Sequence, residues 1–323
     1  MDWGAHPHDE SLKGDHQVAS WAVEQIEDLS DDQPFFMALG FFLPHVPAYV
    51  TPQWLDAVPT EGVLPLVKED DRDDVPPFSW YLHWYVPEPR LPWMRENQQW
   101  LPFVRAYLAS ISWIDTQIGR VLDALDATGQ ADRTIVVLWS DNGMHLGEKG
   151  ITGKNSLWER ATRVPLIFAG PGVTAGSRVS SPAELIDIHP TLIELADLEV
   201  REDLDGESLV PQLRDPLAPR ERPALTTSNP GNHSVRSERY RYIRYADGSE
   251  EFYDHLADSN EWRNLAEEPQ YAQLLAWHRR WLPAVDHPHL PGRSGRILEY
   301  DSVSGRLIWE GKIIPAGSTP PDE

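Results

Sequence analysis

The sequence predicts an α/β protein, with a mostly parallel sheet flanked by helices and a smaller C-terminal antiparallel α+β subdomain. Three observations carry that prediction. Short, continuously apolar runs alternate with amphipathic helical stretches up to about residue 220, the order expected of strand-helix-strand units. The run Thr134 to Trp139 breaks at Ser140 into a polar, glycine-rich loop, and strand ends of this kind are where α/β folds place their chemistry. From about Arg220 onward the texture changes to short strand-like segments, two of which flank Ala246-Asp-Gly-Ser249, a hairpin signal.

The elements follow in order. Asp15 to Leu29 reads as a helix because Val18, Ala22, Ile26 and Leu29 recur at three- and four-residue spacing. Asp31 and Asp32 are expected to end it. Pro34 to Phe42 is a short apolar run that reads as a strand buried on both faces. It stops at Pro44-His45-Val46-Pro47, which places His45 just past a strand end. Between Thr51 and Pro102 the chain is rich in Pro, Trp and acidic residues without a clear period; Val75 to Tyr85 reads as an ordered excursion over the sheet. Val104 to Leu125 is the clearest helix, with one apolar stripe and Gly129 placed to stop it. After the strand Thr134 to Trp139, Ser156-Leu-Trp-Glu159 has the spacing of a capping box opening a short helix. Val164 to Ala169 is another buried strand, closed by Gly170-Pro-Gly172, and Ile188 to Leu198 is an amphipathic helix with Pro190 near its first turn. Ala224 to Thr227, Tyr240 to Tyr245 and Glu251 to Asp254 read as short strands, Tyr271 to Trp281 as a final helix, and the rest as a Pro- and Gly-rich tail to Glu323. The expected division is a catalytic-type α/β domain over 1–219 and a subdomain over 220–323.

With 323 residues the chain can bury roughly three quarters of its unfolded surface, as one large domain or a large one with an appendage. It contains no cysteine, which removes disulfides, thiolate zinc sites and cysteine nucleophiles together. A formal charge of -23 argues against nonspecific nucleic-acid or anionic-membrane binding. Arg outnumbers Lys and Asp is abundant, a balance that fits either adaptation to high salt or ordinary acidic solubility. No apolar run reaches the length of a membrane span, and the first residues carry neither a basic n-region nor an apolar h-region.

Asp141-Asn142-Gly143, read alone, is a strong hairpin turn signal. Its flanks count against that reading: the preceding run is continuously apolar, and Gly147, Gly150 and Gly153 would make a poor partner strand. A carboxylate beside an amide carbonyl suits a hard cation such as calcium or magnesium. Two such ligands are too few for a complete site. Lys154 either neutralises an anionic substrate oxygen or is a solvated residue between glycines; His45 and His145 are each either proton donors or structural histidines.

Taken together, these residues resemble a known family. Ser140-Asp-Asn-Gly143, Leu146-Gly-Glu148, Gly153-Lys154 and Ala161-Thr-Arg-Val-Pro-Leu-Ile167 are similar to the second half of the catalytic domain of sulfatases, in the alkaline phosphatase superfamily. Tyr107 to Asp115 looks like the helix preceding that strand, and Pro34-Phe-Phe36 with Pro44-His45 like the upstream strand and active-site histidine. Leu185 to Leu192, Phe252-Tyr-Asp254 and Glu261-Trp-Arg-Asn-Leu265 continue the match. The likeness is nearest to bacterial iduronate-2-sulfatase-like enzymes. It implies an alkaline-phosphatase-like fold and a hydrolase of sulfate esters acting on an anionic substrate such as a sulfated sugar. Asp141 and Asn142 would bind Ca2+ (Mg2+ being the second choice), Lys154 would contact the sulfate ester, and His45 would contact the sulfate or its bridging oxygen. Family members are often periplasmic or secreted.

Two departures matter. The family's Lys-Pro-His is Leu43-Pro44-His45 here. The paired aspartates that complete the metal site, and the Cys/Ser-x-Pro-x-Arg element whose first residue becomes the formylglycine nucleophile, are also missing from these 323 residues. The expectation is therefore a chain matching the C-terminal two thirds of a sulfatase, beginning inside the catalytic domain, inactive alone, and poorly soluble without the missing N-terminal half. The alternatives are a phosphonate or phosphate ester hydrolase of the same superfamily, and a non-catalytic fragment or binding module.

Overall fold

A computed structural model describes residues 1–6, 9–30, 33–290, 292, 295–315 and 318. In chain order its elements are β1 (Trp3–Ala5), α1 (Gly14–Glu27), β2 (Ala48–Val50), α2 (Pro52–Ala57), α3 (Leu91–Glu96), α4 (Trp100–Ala127), β3 (Val136–Trp139), α5 (Glu159–Thr162), β4 (Leu166–Ala169), α6 (Ile188–Leu195), α7 (Val210–Arg214), β5 (Ala224–Thr227), β6 (His233–Arg236), β7 (Tyr240–Arg244), β8 (Glu250–Asp254), α8 (Ala272–Arg279), β9 (Leu298–Asp301), β10 (Arg306–Trp309) and β11 (Lys312–Ile314). They fall into two compact units. One comprises Met1–Leu66 with Glu88–Ile135, the other Val67–Pro87 with Val136–Glu323.

The first unit is built on α4. Its buried residues Phe103, Val104, Ala106, Ala109, Ser110, Trp113, Gln117, Val121, Ala124 and Leu125 recur every three or four positions, so one face meets the core. Trp113 packs with Leu43, Val50 and Val58, and Trp54 meets it edge-on at 5.8 Å. The helix stops as its sequence dictates. Gly129 takes φ +70°, its N–H bonds Asp126, and the N–H of Gln130 reaches back to Leu125; this reciprocal pair closes the last turn and satisfies carbonyls that would otherwise be orphaned. Strands β1 and β2 pair in parallel, with Trp3 opposite Ala48 and Ala5 opposite Val50.

The second unit holds three sheets. β3 and β4 form a two-stranded antiparallel ladder, β5-β6-β7-β8 a four-stranded antiparallel sheet in sequence order, and β11-β10-β9 a three-stranded antiparallel sheet. The β7–β8 hairpin turns at the expected Asp-Gly, with Gly248 at φ +88°. One core joins Phe78, Leu82, Ile151, Trp158, Tyr253, Leu298, Trp309 and Ile314; a second joins Val235, Tyr242, Phe252, Leu265 and Leu275. Glu251 is enclosed within the first of these cores, where Trp158 donates to it at 2.7 Å and the hydroxyls of Tyr245 and Tyr253 at 2.5 Å. Burial pushes its carboxyl upward in spite of those donors.

Several expectations change. Among the described residues only β1–β2 is parallel, because residues 140–165 contain no more than a 3₁₀ turn and the single-turn α5, and parallel neighbours need a longer crossover. Pro34 to Phe42 is not a buried strand: it has no ladder partner among the described residues, and Phe36 is 86% exposed. A strand is defined by its neighbour, and that neighbour is not encoded locally. Phe42, Trp139 and Ile167 are likewise exposed, at 55%, 48% and 53%. The box expected from Ser156 does not form, since α5 starts at Glu159, whose carboxylate pairs with arginines. β6 and the whole β9–β11 sheet lie in stretches read as connection and tail. Leu298, Trp309 and Ile314 account for the latter by packing into the core. Val75 to Tyr85 is ordered as expected, with Phe78 and Leu82 buried. Asp31 and Asp32 lie outside the described residues, as does part of the tail.

Buried Asp15, in the first turn of α1, accepts from the N–H groups of Phe42 at 2.6 Å and Leu43 at 3.3 Å. It thereby fixes the approach to His45. Asp15→Ala strands these donors, so the expected loss is about 1–3 kcal/mol in a urea titration, with faster hydrogen exchange at Phe42 and Leu43. Unchanged exchange there would show that another contact holds the loop.

Candidate active site

Three of the four expected site residues lie in one loop of the second unit. The apolar β3 ends at Trp139, and the next four residues fold back on their own backbone. Ser140 Oγ donates to the carbonyl of Asn142 at 2.9 Å, the N–H of Asn142 donates to Asp141 Oδ1 at 2.9 Å, and Asn142 Nδ2 donates to the carbonyl of Gly143 at 2.8 Å. The N–H of Gly143 then bonds Ala161 at 2.8 Å. A Cβ at Gly143 would lie 2.1 Å from the carbonyl oxygen of Arg160. Glycine is therefore required by close packing, not by a hairpin turn.

With its amide nitrogen occupied by Gly143, the Asn142 side chain has its oxygen without a partner among the described residues, and exposed Asp141 likewise has one carboxylate oxygen uncommitted among them. This donor set suits one side of a hard, oxygen-seeking ion. It falls short of the six to eight oxygens that calcium takes.

The far end of the loop is tied down. His145 N–H bonds the carbonyl of Gly153 at 2.7 Å, and His145 Nε2 sits 2.9 Å from Ser156 Oγ. The imidazole is fully buried, edge-on to Trp158 at 5.8 Å. Burial pulls its pKa down to about 3, so it is neutral and structural at ordinary pH. Of the loop's two lysines, Lys149 is 3% exposed at φ +57°, and its Nζ reaches Asp71 Oδ1 at 2.7 Å and the carbonyl of Glu261. Lys154 is half-buried, and its ammonium has no partner among the described residues.

His45 belongs to the first unit. It is exposed, with Nδ1 2.6 Å from the carbonyl of Val46 and its ring 5.1 Å from that of Phe42.

A second cluster escaped the sequence. Glu159, His255 and Glu261 bring three ligand-type atoms within 4.8 Å of one another. The two carboxylates are already paired with arginines. Arg241 Nε lies 2.7 Å from Glu261, its NH2 pairs with Glu159, Arg236 Nε is 3.2 Å from Glu159, and His255 Nε2 is 3.0 Å from Glu261. Burial alone would raise the Glu261 carboxyl, but Arg241 and His255 overcome it and hold it at about 2. We read a buried ion-pair web and no metal centre. One signal was available: Arg241 stands in a strand between Tyr240 and Tyr242, and an arginine with no exposed face must be paired.

The depressed His145 has a measurable consequence. Its folded pKa lies below the unfolded value of 6.5, so protons bind the unfolded chain preferentially; the stability it confers is complete above pH 6.5 and is lost as pH falls toward 3. Between those values it adds a slope approaching 1.4 kcal/mol per pH unit. His145→Gln should melt with a shallower pH dependence from pH 6.5 to 5, the lowered histidines His16, His233 and His278 being common to both proteins. Identical slopes would contradict the assignment.

Comparison with known proteins assigns the chain to a family. A family model described as "Sulfatase" matches residues 10–198, and one described as "N-sulphoglucosamine sulphohydrolase, C-terminal" matches residues 147–285. A sulfatase of Formosa agariphila is 41% identical over 286 residues, covering 88% of this chain and 56% of the relative. The chain thus spans about half the length of the curated relatives it matches. Among solved structures, a protein in complex with its substrate D-glucosamine-2-N,6-O-disulfate superposes with a TM-score of 0.68 at 22% identity, over 82% of this chain and 68% of that one. A phosphonate monoester hydrolase from Silicibacter pomeroyi gives 0.70 at 23% identity, over 84% and 60%. Both share the alkaline-phosphatase-like α/β fold with its small C-terminal antiparallel sheet. From the extent of the family match and the 41% identity, the chain belongs to the sulfatase family.

Proposed function

We propose that this chain supplies one side of a sulfate-ester hydrolase site. The carrying observation is the contrast within one loop: Lys149 is buried and paired, whereas Lys154 keeps an unpaired ammonium among the described residues, close in sequence to the oxygens of Asp141 and Asn142. A free ammonium is a point charge suited to the oxygens of a sulfate ester. Asp141 and Asn142 are the residues that would hold calcium, with magnesium the second choice, and the ion would draw negative charge from the ester oxygens. His45 would hold or donate a proton at the bridging oxygen as the alcohol leaves.

No cysteine occurs in the chain, so a formylglycine of cysteine origin is not among its residues. The attacking group and the remaining metal ligands would come from a segment outside these 323 residues, and the chain alone would be inactive. Exposed Phe36, Trp139 and Ile167 support a further segment covering them. On this reading 1–219 is the larger part of the catalytic domain and 220–323 its subdomain. The nearer likeness to iduronate-2-sulfatase-like enzymes, and a sulfated sugar as substrate, rest on the motifs and on the sugar ligand of one structural neighbour. The likeness to a phosphonate monoester hydrolase favours one alternative, a phosphonate or phosphate ester substrate.

A chimera placing the N-terminal segment of the Formosa relative before Met1 decides among them. It should turn over 4-nitrophenyl sulfate in preference to 4-nitrophenyl phosphate. Lys154→Ala and His45→Ala should each lower kcat by about two to three orders of magnitude, and Asp141→Ala should weaken calcium binding at least tenfold by calorimetry. Preference for the phosphate would favour the second substrate class. A folded chimera that hydrolyses neither would leave a non-catalytic binding role, and calcium binding unchanged by Asp141→Ala would remove that residue from the site.

A further inference from the structure

Away from the loop, the second unit holds an open cleft of about 700 Å³ between the end of α8, the segment leading into β5, and the β6–β7 turn. Trp277 and Trp281 stand one helical turn apart on its wall, with ring centroids 5.8 Å apart and planes inclined by 59°. Trp281 is 36% exposed and Trp277 half-buried. Beside them, Arg280 and Glu221 line the cleft, are exposed, and have no side-chain partner among the described residues. Arg220 lines it too. That side chain is buried and held by Asp187 at 2.8 Å and Glu207 at 3.4 Å, yet its Nε has no partner.

Two adjacent indoles left half-open beside a free guanidinium and a free carboxylate call for a ligand with an apolar face and a polar edge. A pyranose ring has that shape: its axial C–H groups form a face that stacks on an indole, while its equatorial hydroxyls radiate around the rim. Arginine donates two parallel N–H bonds and glutamate accepts two, so each matches a pair of neighbouring hydroxyls. A simple anion fits less well. Glu221 and Glu238 line the same cleft, and its Arg220 and Arg222 are already paired with Asp187, Glu184 and Glu207. We propose that this cleft binds a pyranose unit of a saccharide chain, with Trp277 and Trp281 on the ring face and Arg280 and Glu221 on its hydroxyl edge. The site uses none of Asp141, Asn142, Lys154 or His45. It therefore stands or falls independently of the hydrolytic reading.

The test is affinity electrophoresis of the 323-residue chain in nondenaturing gels containing, in turn, xylan, galactomannan, carrageenan, ulvan and chondroitin sulfate. At least one polysaccharide should retard the chain. Trp277→Ala and Arg280→Ala should each weaken the apparent affinity about tenfold without shifting the melting temperature. Xylan and galactomannan separate a hydroxyl-directed site from one that also requires sulfate. No retardation by any of the five would overturn the proposal. So would retardation that survives Trp277→Ala, or calorimetric binding of a polyproline decamer where no polysaccharide binds.

Discussion

The second unit depends on one buried carboxylate. Glu261 lies in the connection after β8 at φ +59°, and the groups around it come from four other stretches of chain. Its carboxylate pairs with Arg241 from β7 and His255, and accepts the N–H of Glu159 that opens α5 at 2.8 Å; its carbonyl takes the ammonium of Lys149, which also bonds Asp71. A charge placed in such a setting is costly unless paired, and removing one partner of a buried pair typically costs about 3–5 kcal/mol. The web's arginines and Lys149 alternate with carboxylates. That balance lets carboxylates and arginines sit beneath the same core that encloses Trp158 and Tyr253.

The web also explains how a loop made largely of glycines and polar residues holds a defined shape. Residues 140–154 contain no regular helix or strand beyond one 3₁₀ turn, so their own hydrogen bonds are few. Anchors are supplied from outside: Gly143 to Ala161, His145 to Ser156, and Lys149 to Asp71 and Glu261. Asp141 and Lys154 have no such side-chain anchor among the described residues. Positioning groups by supports beneath them is what a site needs, since the functional atoms must be both held and uncommitted.

Much of this was legible in the sequence, for physical reasons that can be named. Helix α4 buries one face along its whole length, so its period is written plainly, and Gly129 marks its end. β5, β7 and β8 are short and bounded by turn residues. The segment Pro34 to Phe42 misled because apolar composition reports a tendency to bury, whereas strand formation needs a partner elsewhere in the chain. In the tail, Leu298, Trp309 and Ile314 are separated by Gly, Ser and charged residues that mask a three-stranded sheet. Within the loop, Lys149 and Lys154 look alike in sequence, each beside a glycine. What distinguishes them is Asp71 and Glu261, 78 and 112 residues away from Lys149. Arg241 and Glu159 are likewise 82 residues apart. Local pattern cannot reveal partners at that range, although a buried arginine signals that one must exist.

The family match covers the loop after β3, and the ion pairs beneath it keep that loop in order. The web around Glu261 is the central claim, and hydrogen exchange on a Glu261→Gln variant tests it most directly. Loss of the charge should speed exchange at the amides of Gly143 and His145 by tenfold or more, remote as they are in sequence, while the β6–β7 ladder stays protected. Faster exchange confined to residues next to 261, with Gly143 and His145 as slow as in the parent, would show that the loop keeps its shape without the web.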